Sequence, residues 1–582
     1  MFDYSYENLK RIAQTEKGKQ IVEQAKEIYE KEYANKPILA LNYSYQKLFI
    51  IDGNRNKFEA MYFERRKRLR LLQVLALADD AYIENLEEIL AAITDEFTWV
   101  LPAHAYGPNQ QGYDYRYRLD LFSTETSFYL SETVYVFGDK LSMDIRNRVK
   151  LAVEDKIVRI YEYEPGKLFH SFEHYADNWA AVCTCGIGLS YLYLFPERFN
   201  LLEERILKNL ELYLSSIDEE GYCDEGIGYW QYGFGFFCLF FDVYVQLTGK
   251  SPAFLKTQKM KNLVQYMQRA QMNGGVYLPF ADGGTKRFLS DCQIFCAIKN
   301  LFGDLFGVDL SSNIKIDESS KALALRLLNG VDKFTSGMSV VKKEQLTETF
   351  YYSNAQVFIH KNDNYAFAAK SGYNREKHNH NDVGSFQIVK GEKRLICDIG
   401  AGDYTRQYFD ENERYKFFVC SSLGHSVPIV GGKAQRFGKE YYGKVLQHTN
   451  NLFQIDIASA YEDGVDSLVV TYEVQEEGVR VHYAVKGLTD TITFRFVSDF
   501  APIVEQGGKI VRIEDLLEII SKQKLLPSIE HKTYNLHTRA SKVIEIIKGN
   551  KVVISNEADA WVIDYTMNGA DVEAEFYFKM EN

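Results

Sequence analysis

The sequence predicts a multidomain α+β protein: a helical ring or solenoid followed by an antiparallel β-sandwich. Three observations predict it. Through about residue 320, apolar residues recur at three- and four-residue spacing in one segment after another, the period of an amphipathic helix. From Val340 on, alternation dominates in short runs separated by Gly, Asn and Asp turns, the pattern of half-buried strands. The chain has 582 residues, 46% hydrophobic and 25% charged, enough for at least two globular cores. Helices and strands that segregate along a chain build separate layers. A helical domain is therefore expected over 1–330 and a β-sandwich over 331–582.

The helical spacing runs through Leu71–Ala78, Ile83–Ile93, Leu119–Phe137, Ile145–Tyr161, Trp179–Leu194, Glu203–Ser215, Tyr229–Thr248 and Met260–Met272. Gly, Pro, Asp and Asn punctuate the joins, and helices joined this way pair antiparallel. So many consecutive helices without an exact repeat imply a ring or solenoid. Alternation predicts strands over Ala355–His360, Tyr365–Ala369, Ser385–Val389, Leu395–Ile399, Val427–Val430, Leu452–Ile457, Ser467–Val474, Val479–Val485 and Thr491–Ser498. Glu514–Lys522 reads as a short helix. Residues 551–582 return to strands, as either a separate small module or the last edge of a sheet.

Net charge is −12, so no global basic field recruits a nucleic acid. The basic run at Arg65–Arg70 reads as a solvated helix face. Eight scattered cysteines without a CxxC pair read as free thiols of a reducing compartment. With no leader pattern and no apolar run of membrane length, the expectation is a cytoplasmic protein without a membrane partner, as monomer or dimer.

Chemistry concentrates in Ser371–Tyr404. His378, His380 and Asp382 stand at every second position, which on a strand would face them to one side. Asp398 follows, then His425. Two His and an Asp on neighbouring strands are a zinc-type ligand set. In the helical half, Asp177 and Asn178 stand where a helix N-cap belongs. Glycines flank Tyr229, Trp230 and Tyr232 in DEGIGYWQYGFG, so a ligand could approach the backbone there. Trp99, His104 and Asp282 are polar or aromatic groups in apolar loops.

The motifs FTWVLPAHAY, DNWAAVCTCGIGLS, DEGIGYWQYGFGFF, NREKHNHNDVGSFQIV…DIGAGDY and GHSVPIVGGKAQ follow one another over roughly residues 90–435. In this order they resemble the heparinase II/III-like polysaccharide lyases. The resemblance implies an incomplete (α/α) toroid followed by antiparallel β-sheets, and β-elimination on uronic-acid polysaccharides. It implies Asn178 as the group that neutralises the uronate carboxylate. It implies Tyr232 as the catalytic tyrosine, with Tyr229 the alternative one turn away, and His378 as the catalytic histidine. Tyr415 would be a second active-site tyrosine. His380, Asp398 and His425 would hold a divalent metal, usually zinc, in a supporting role, and Asp382 then falls to a structural place beside the Gly384 turn. Trp99, His104, Glu225, Trp230 and Arg375 would line the substrate cleft.

β-Elimination needs donors on the uronate carboxylate, a base at C5 and an acid at O4. Asn178, His378 and a tyrosine are suited to these tasks. A phenol starts near pKa 10, so cations such as Arg375 or Lys377 are expected to lower it. The expected partner is an anionic uronate-containing oligo- or polysaccharide, such as hyaluronan, chondroitin or heparan sulfate. Arg375, Lys377, Arg406, Arg414, Lys286 and Arg287 would give the cleft its basic lining. The alternatives are an alginate-type lyase, a toroid-type glycoside hydrolase using Asp224, Glu225 or Asp282, and an enzyme with both histidines of the HxH pair on one metal.

Overall fold

The computed structural model describes residues 4–105, 118–163, 172–272, 276–278, 280–282, 292–305, 316, 321–331, 347–536 and 557–581. Helices fill the first part to Val331, and antiparallel sheets fill the part from Glu348.

The helices pack in a round. Ala324–Val331 lies on Asn56–Ala78, which packs on Ile83–Thr94, and that on Met143–Val153. The order continues through Leu121–Phe137, Asn178–Leu194, Ile227–Thr248 and Cys292–Phe302, and returns to Ala324–Val331. Two of these helices show why the round closes tightly. Asn178–Leu194 buries all but Trp179 and Leu194, and Ile227–Thr248 buries every residue from Gly233 to Tyr244, so neither presents a continuous solvent face. Gly186 and Gly188 let their neighbours in: a Cβ at Gly186 would meet the Thr124 carbonyl oxygen at 2.6 Å, and one at Gly188 the Phe240 ring at 2.6 Å. Outer helices such as Pro196–Ser215 keep an apolar stripe and a wet face.

The sheets stack as predicted from alternation. A five-stranded sheet runs in the order Glu348–Tyr352, Val357–Lys361, Ala366–Lys370, Phe386–Lys390, Lys393–Ile396. It packs on an eight-stranded sheet, through contacts such as Phe358 on Phe453 (ring centroids 5.5 Å) and Phe386 on Phe578 (5.2 Å). A four-stranded sheet closes over the same core through Phe496 on Phe576 at 5.0 Å. Strands such as Ser467–Gln475 alternate buried and half-buried residues along their length.

Two expectations change. Leu517–Ser521 is a strand, not a helix, paired with Ile510–Ile513 and Val572–Met580; Leu517 and Ile519 enter the core two residues apart, a strand's period. The last strands are neither an edge nor a module apart. Val572–Met580 lies between Leu517–Ser521 and Gly478–Lys486, and Glu557–Asn568 lies between Thr491–Ser498 and Ser528–Asn535. Each is thereby hydrogen-bonded to a strand on both of its sides.

The helical and sheet parts meet along a seam. Tyr352 packs on Tyr222 and Tyr266, with ring centroids at 5.0 and 6.2 Å. Glu220 accepts from the Ser353 backbone N–H at 2.6 Å and its hydroxyl at 2.9 Å. Arg406 donates to the carbonyls of Phe49 and Ile50, near the end of the Tyr43–Asp52 helix.

Candidate active site

The His378–Asp382 segment is not a strand. It is a turn between Tyr373–Asn374 and Phe386–Lys390, and His378 takes the left-handed backbone region at φ 54°. Such a conformation in a non-glycine residue costs of order 1 kcal/mol or more and persists only where the surroundings impose it. Its consequence is divergence: Asp382 turns away from the two histidines, and His378 and His380 meet only through the shared Asp282.

Asp382 turns inward to Lys370, with Nζ and Oδ1 2.9 Å apart, and Glu376 meets the same ammonium at 2.9 Å. All three charges are shielded from water. Burial opposes the Lys370 charge, but Asp382 and Glu376 outweigh it and hold the ammonium well above its usual range. Asp382 is therefore structural. Lys370→Met is expected to leave the buried Asp382 and the half-buried Glu376 without their cation and to destabilise the fold by about 3–5 kcal/mol, read as a lower denaturant midpoint.

His380 turns to Asp398 and His425. Ligand atoms of the three lie within 4.8 Å of one another, and all three residues are buried. His380 Nδ1, Asp398 Oδ2 and His425 Nδ1 have no hydrogen-bond partner. The other nitrogens are occupied: His425 Nε2–H donates to the Val419 carbonyl at 3.0 Å, and His380 Nε2 lies 3.0 Å from Asp282 Oδ1. Each imidazole thus turns a lone pair toward the Asp398 carboxylate, the arrangement of a metal ligand with its outer partner. His425 Nδ1 and Asp398 Oδ2 are 3.3 Å apart, close to the ~3.4 Å between two ligands each ~2.1 Å from a tetrahedral centre. Burial opposes charge at His380, but the neighbouring Cys420 and Asp282 outweigh it, so the pocket favours a positive charge, which a bound cation would supply in place of a proton. The three residues fit a divalent ion. His378 is not among them, so the structure does not place both histidines of the HxH pair on one metal.

His378 turns to the helical part. Its Nδ1 lies 2.7 Å from Asp282 Oδ2, and its ring stacks on Tyr229 with centroids 4.2 Å apart. The Tyr229 hydroxyl is 3.4 Å from His378 Nδ1 and 3.3 Å from the Tyr404 hydroxyl. Burial, then the neighbouring Tyr404 and Asp282, raise the Tyr229 phenol well above its usual range, so it is held protonated rather than activated by cations. Lys377, one residue earlier, reaches the other way, to the Ala176 carbonyl and to Glu225 at 3.5 Å. Glu225 accepts from the Asn178 amide. Asp177 caps the Asn178–Leu194 helix by accepting from the Trp179 N–H at 2.9 Å, which leaves Asn178 as the side chain aimed at Glu225, the carboxylate that Lys377 also meets. The turn at 377–378 therefore joins Asn178 to Tyr229 across the seam.

Other expected residues sit elsewhere. Tyr232 lies about one turn past Tyr229, but its hydroxyl donates to Glu125 inside the helical round and not to the His378 cluster. Trp99 and Trp230 are core residues, 1% and 0% exposed, with their indole N–H groups bonded to the Ile93 and Leu263 carbonyls at 2.9 Å. They are closed to a polymer. Tyr415 stacks on Phe437 at 4.6 Å, and Arg375 lies over the same ring at 5.5 Å. Tyr415 and Phe437 line a cavity of about 510 Å³ with Asn381, Lys416 and Arg436, not the His378–Tyr229 cluster. His104 is half-buried between Phe122 and Trp179, with Nδ1 2.7 Å from Asp120 Oδ2. Arg414 bonds Asp282 at 2.9 Å and three backbone carbonyls, and Arg406 is spent on Phe49 and Ile50. The basic lining is thus largely committed to the protein itself. Lys286 and Arg287 lie outside the described residues.

Sequence reasoning passed over Tyr404, although DIGAGDY ends on it, and gave Asp282 no part beside His378 and His380. Every cysteine recorded among the described residues is free and buried. No helix among them is long and apolar enough to cross a membrane.

No protein-family model and no curated protein matches the sequence. Solved structures do. A heparinase III aligns over 97% of this chain and 92% of its own, with a TM-score of 0.60 at 12% identity. The heparan sulfate lyase HepC of Pedobacter heparinus covers 96% and 87%, with a TM-score of 0.53 at 12% identity. A chondroitin AC lyase of Streptomyces coelicolor A3, in complex with chondroitin sulphate, covers 99% and 82%, with a TM-score of 0.54 at 10% identity. The chain therefore has the fold of these polysaccharide lyases, a helical toroid followed by antiparallel sheets.

Proposed function

We propose that the protein is a polysaccharide lyase that cleaves uronate-containing glycosaminoglycans or their oligosaccharides by β-elimination. The observation that carries this reading is the His378–Tyr229 pair where the two parts meet, with the Asn178 amide joined to it through Lys377. In the elimination the C5–H and C4–O bonds break and a C4–C5 double bond forms. His378 takes the C5 proton. Tyr229, held protonated by its burial, gives its proton to O4, and the adjacent Tyr404 hydroxyl can replace it. Asn178 and Lys377 stabilise the charge that builds on the uronate carboxylate; the carboxylate takes the place Glu225 now holds. His104 and Trp179 offer a ring face and an imidazole to neighbouring sugars. His380, Asp398 and His425 would hold a divalent ion, zinc by their donor set, which supplies a fixed charge that ties three chain segments together.

The hydrolase reading is weaker because Asp282, the candidate carboxylate beside His378, is committed. Asp282 accepts from two histidines, Arg414 and Tyr408. A glycosidase needs two carboxyl groups free to face the glycosidic bond. The glycosaminoglycan class rests on what the structural neighbours act on. An absorbance assay for the unsaturated uronate, run over hyaluronan, chondroitin sulfate, heparan sulfate and alginate, tests the reading. Absorbance should rise on at least one glycosaminoglycan. New reducing ends without absorbance would replace elimination with hydrolysis.

A further inference from the structure

Asp282 belongs to the helical part, yet it is buried among residues of the sheet part. It follows Ala281, itself left-handed at φ 60°, which turns the carboxylate across the seam. Oδ2 lies 2.7 Å from His378 Nδ1. Oδ1 lies 3.0 Å from His380 Nε2, and accepts from the Tyr408 hydroxyl at 2.5 Å and Arg414 at 2.9 Å. A carboxylate accepts about four hydrogen bonds, so this one is full, and every partner is a donor.

Resting on the reading of His378 as the base, we propose that Asp282 is a positioning residue that sets two histidines in opposite tautomers with one carboxylate. Oδ2 holds His378 with its proton on Nδ1, which leaves the Nε2 lone pair for the substrate. Oδ1 holds His380 with its proton on Nε2, which leaves the Nδ1 lone pair for the Asp398–His425 group. Arg414 makes this workable. Its guanidinium balances the carboxylate charge, so neither imidazole has to be protonated to satisfy Asp282. Catalytic base and ligand cluster are then aligned by a single group, and that group arrives only when the helical part docks on the sheets.

An amide cannot do the same work. In Asp282→Asn, the NH2 group must face at least one N–H donor, and His378 escapes by moving its proton to Nε2, the nitrogen that has to be free. The test is long-range ¹H–¹⁵N correlation on zinc-loaded protein with ¹⁵N-labelled histidine, assigned through His378→Gln and His380→Gln. Wild type should show His378 protonated on Nδ1 and His380 on Nε2. Asp282→Asn should move the His378 proton to Nε2 and lower kcat about 10³-fold, with KM within about threefold and zinc still bound. Wild-type His378 carrying its proton on Nε2, or a kcat for Asp282→Asn within tenfold of wild type, would overturn the proposal. Should the variant fail to fold, the wild-type spectrum alone decides. Absence of elimination on every polymer would remove the reading of His378 as base and leave the tautomer result standing on its own.

Discussion

Tyr229→Phe should lower the rate of unsaturated-uronate formation by about 10²–10⁴-fold, the range for losing a positioned proton donor, while Tyr232→Phe should leave most of the rate intact. The two tyrosines are three residues apart on one helix, yet their surroundings differ in kind. Tyr229 stacks on His378 and has a second phenol 3.3 Å away. The Tyr232 hydroxyl donates a hydrogen bond to Glu125, a buried carboxylate that also accepts from Tyr129 at 2.5 Å. Removing the Tyr232 hydroxyl leaves Glu125 with one donor fewer, so the loss should appear as about 1–3 kcal/mol of stability rather than as turnover. Initial rates by absorbance and thermal midpoints for both variants separate the two outcomes. An inactive, well-folded Tyr232→Phe beside an active Tyr229→Phe would shift the catalytic register by one turn, as the motif resemblance first suggested.

The fold was legible because its cues are local. A helix with one wet face and a strand with one wet face each write a period into the sequence, and Ser467–Gln475 keeps that period residue by residue. The helical round was harder to see, since its inner helices are apolar on every side and carry no stripe. The site was legible in composition more than in geometry. His380, Asp398 and His425 converge, but the period-two reading that grouped His378, His380 and Asp382 failed because one left-handed residue turns the chain. Trp99 and Trp230 looked like sugar platforms, whereas each indole is anchored to a core carbonyl. Asp282 meets His378 across 96 residues of sequence and Tyr404 meets Tyr229 across 175. No local pattern reports a contact made between two parts so far apart in sequence.

Stripping the protein of metal should lower its thermal midpoint and its activity together, and zinc should restore both. His380, Asp398 and His425 come from three separate stretches, and among the described residues neither a strand ladder nor a salt bridge joins His380 directly to the other two. An ion shared by the three ties those stretches together in the folded state and not in the unfolded chain, so its binding energy is folding energy. At free zinc 1,000 times the dissociation constant this amounts to about 4 kcal/mol. His380→Ala should therefore have the midpoint of the chelated wild type, bind no zinc, and ignore chelator. Activity should fall with stability because His378 stands two residues from His380 and shares Asp282 with it, so a loosened His380 also loosens the imidazole stacked on Tyr229. Metal analysis and calorimetry with and without chelator decide the matter. Equal midpoints for wild type, chelated wild type and His380→Ala would mean that the three orphaned ligand atoms hold no ion, and that the site depends on Asp282 and Arg414 alone.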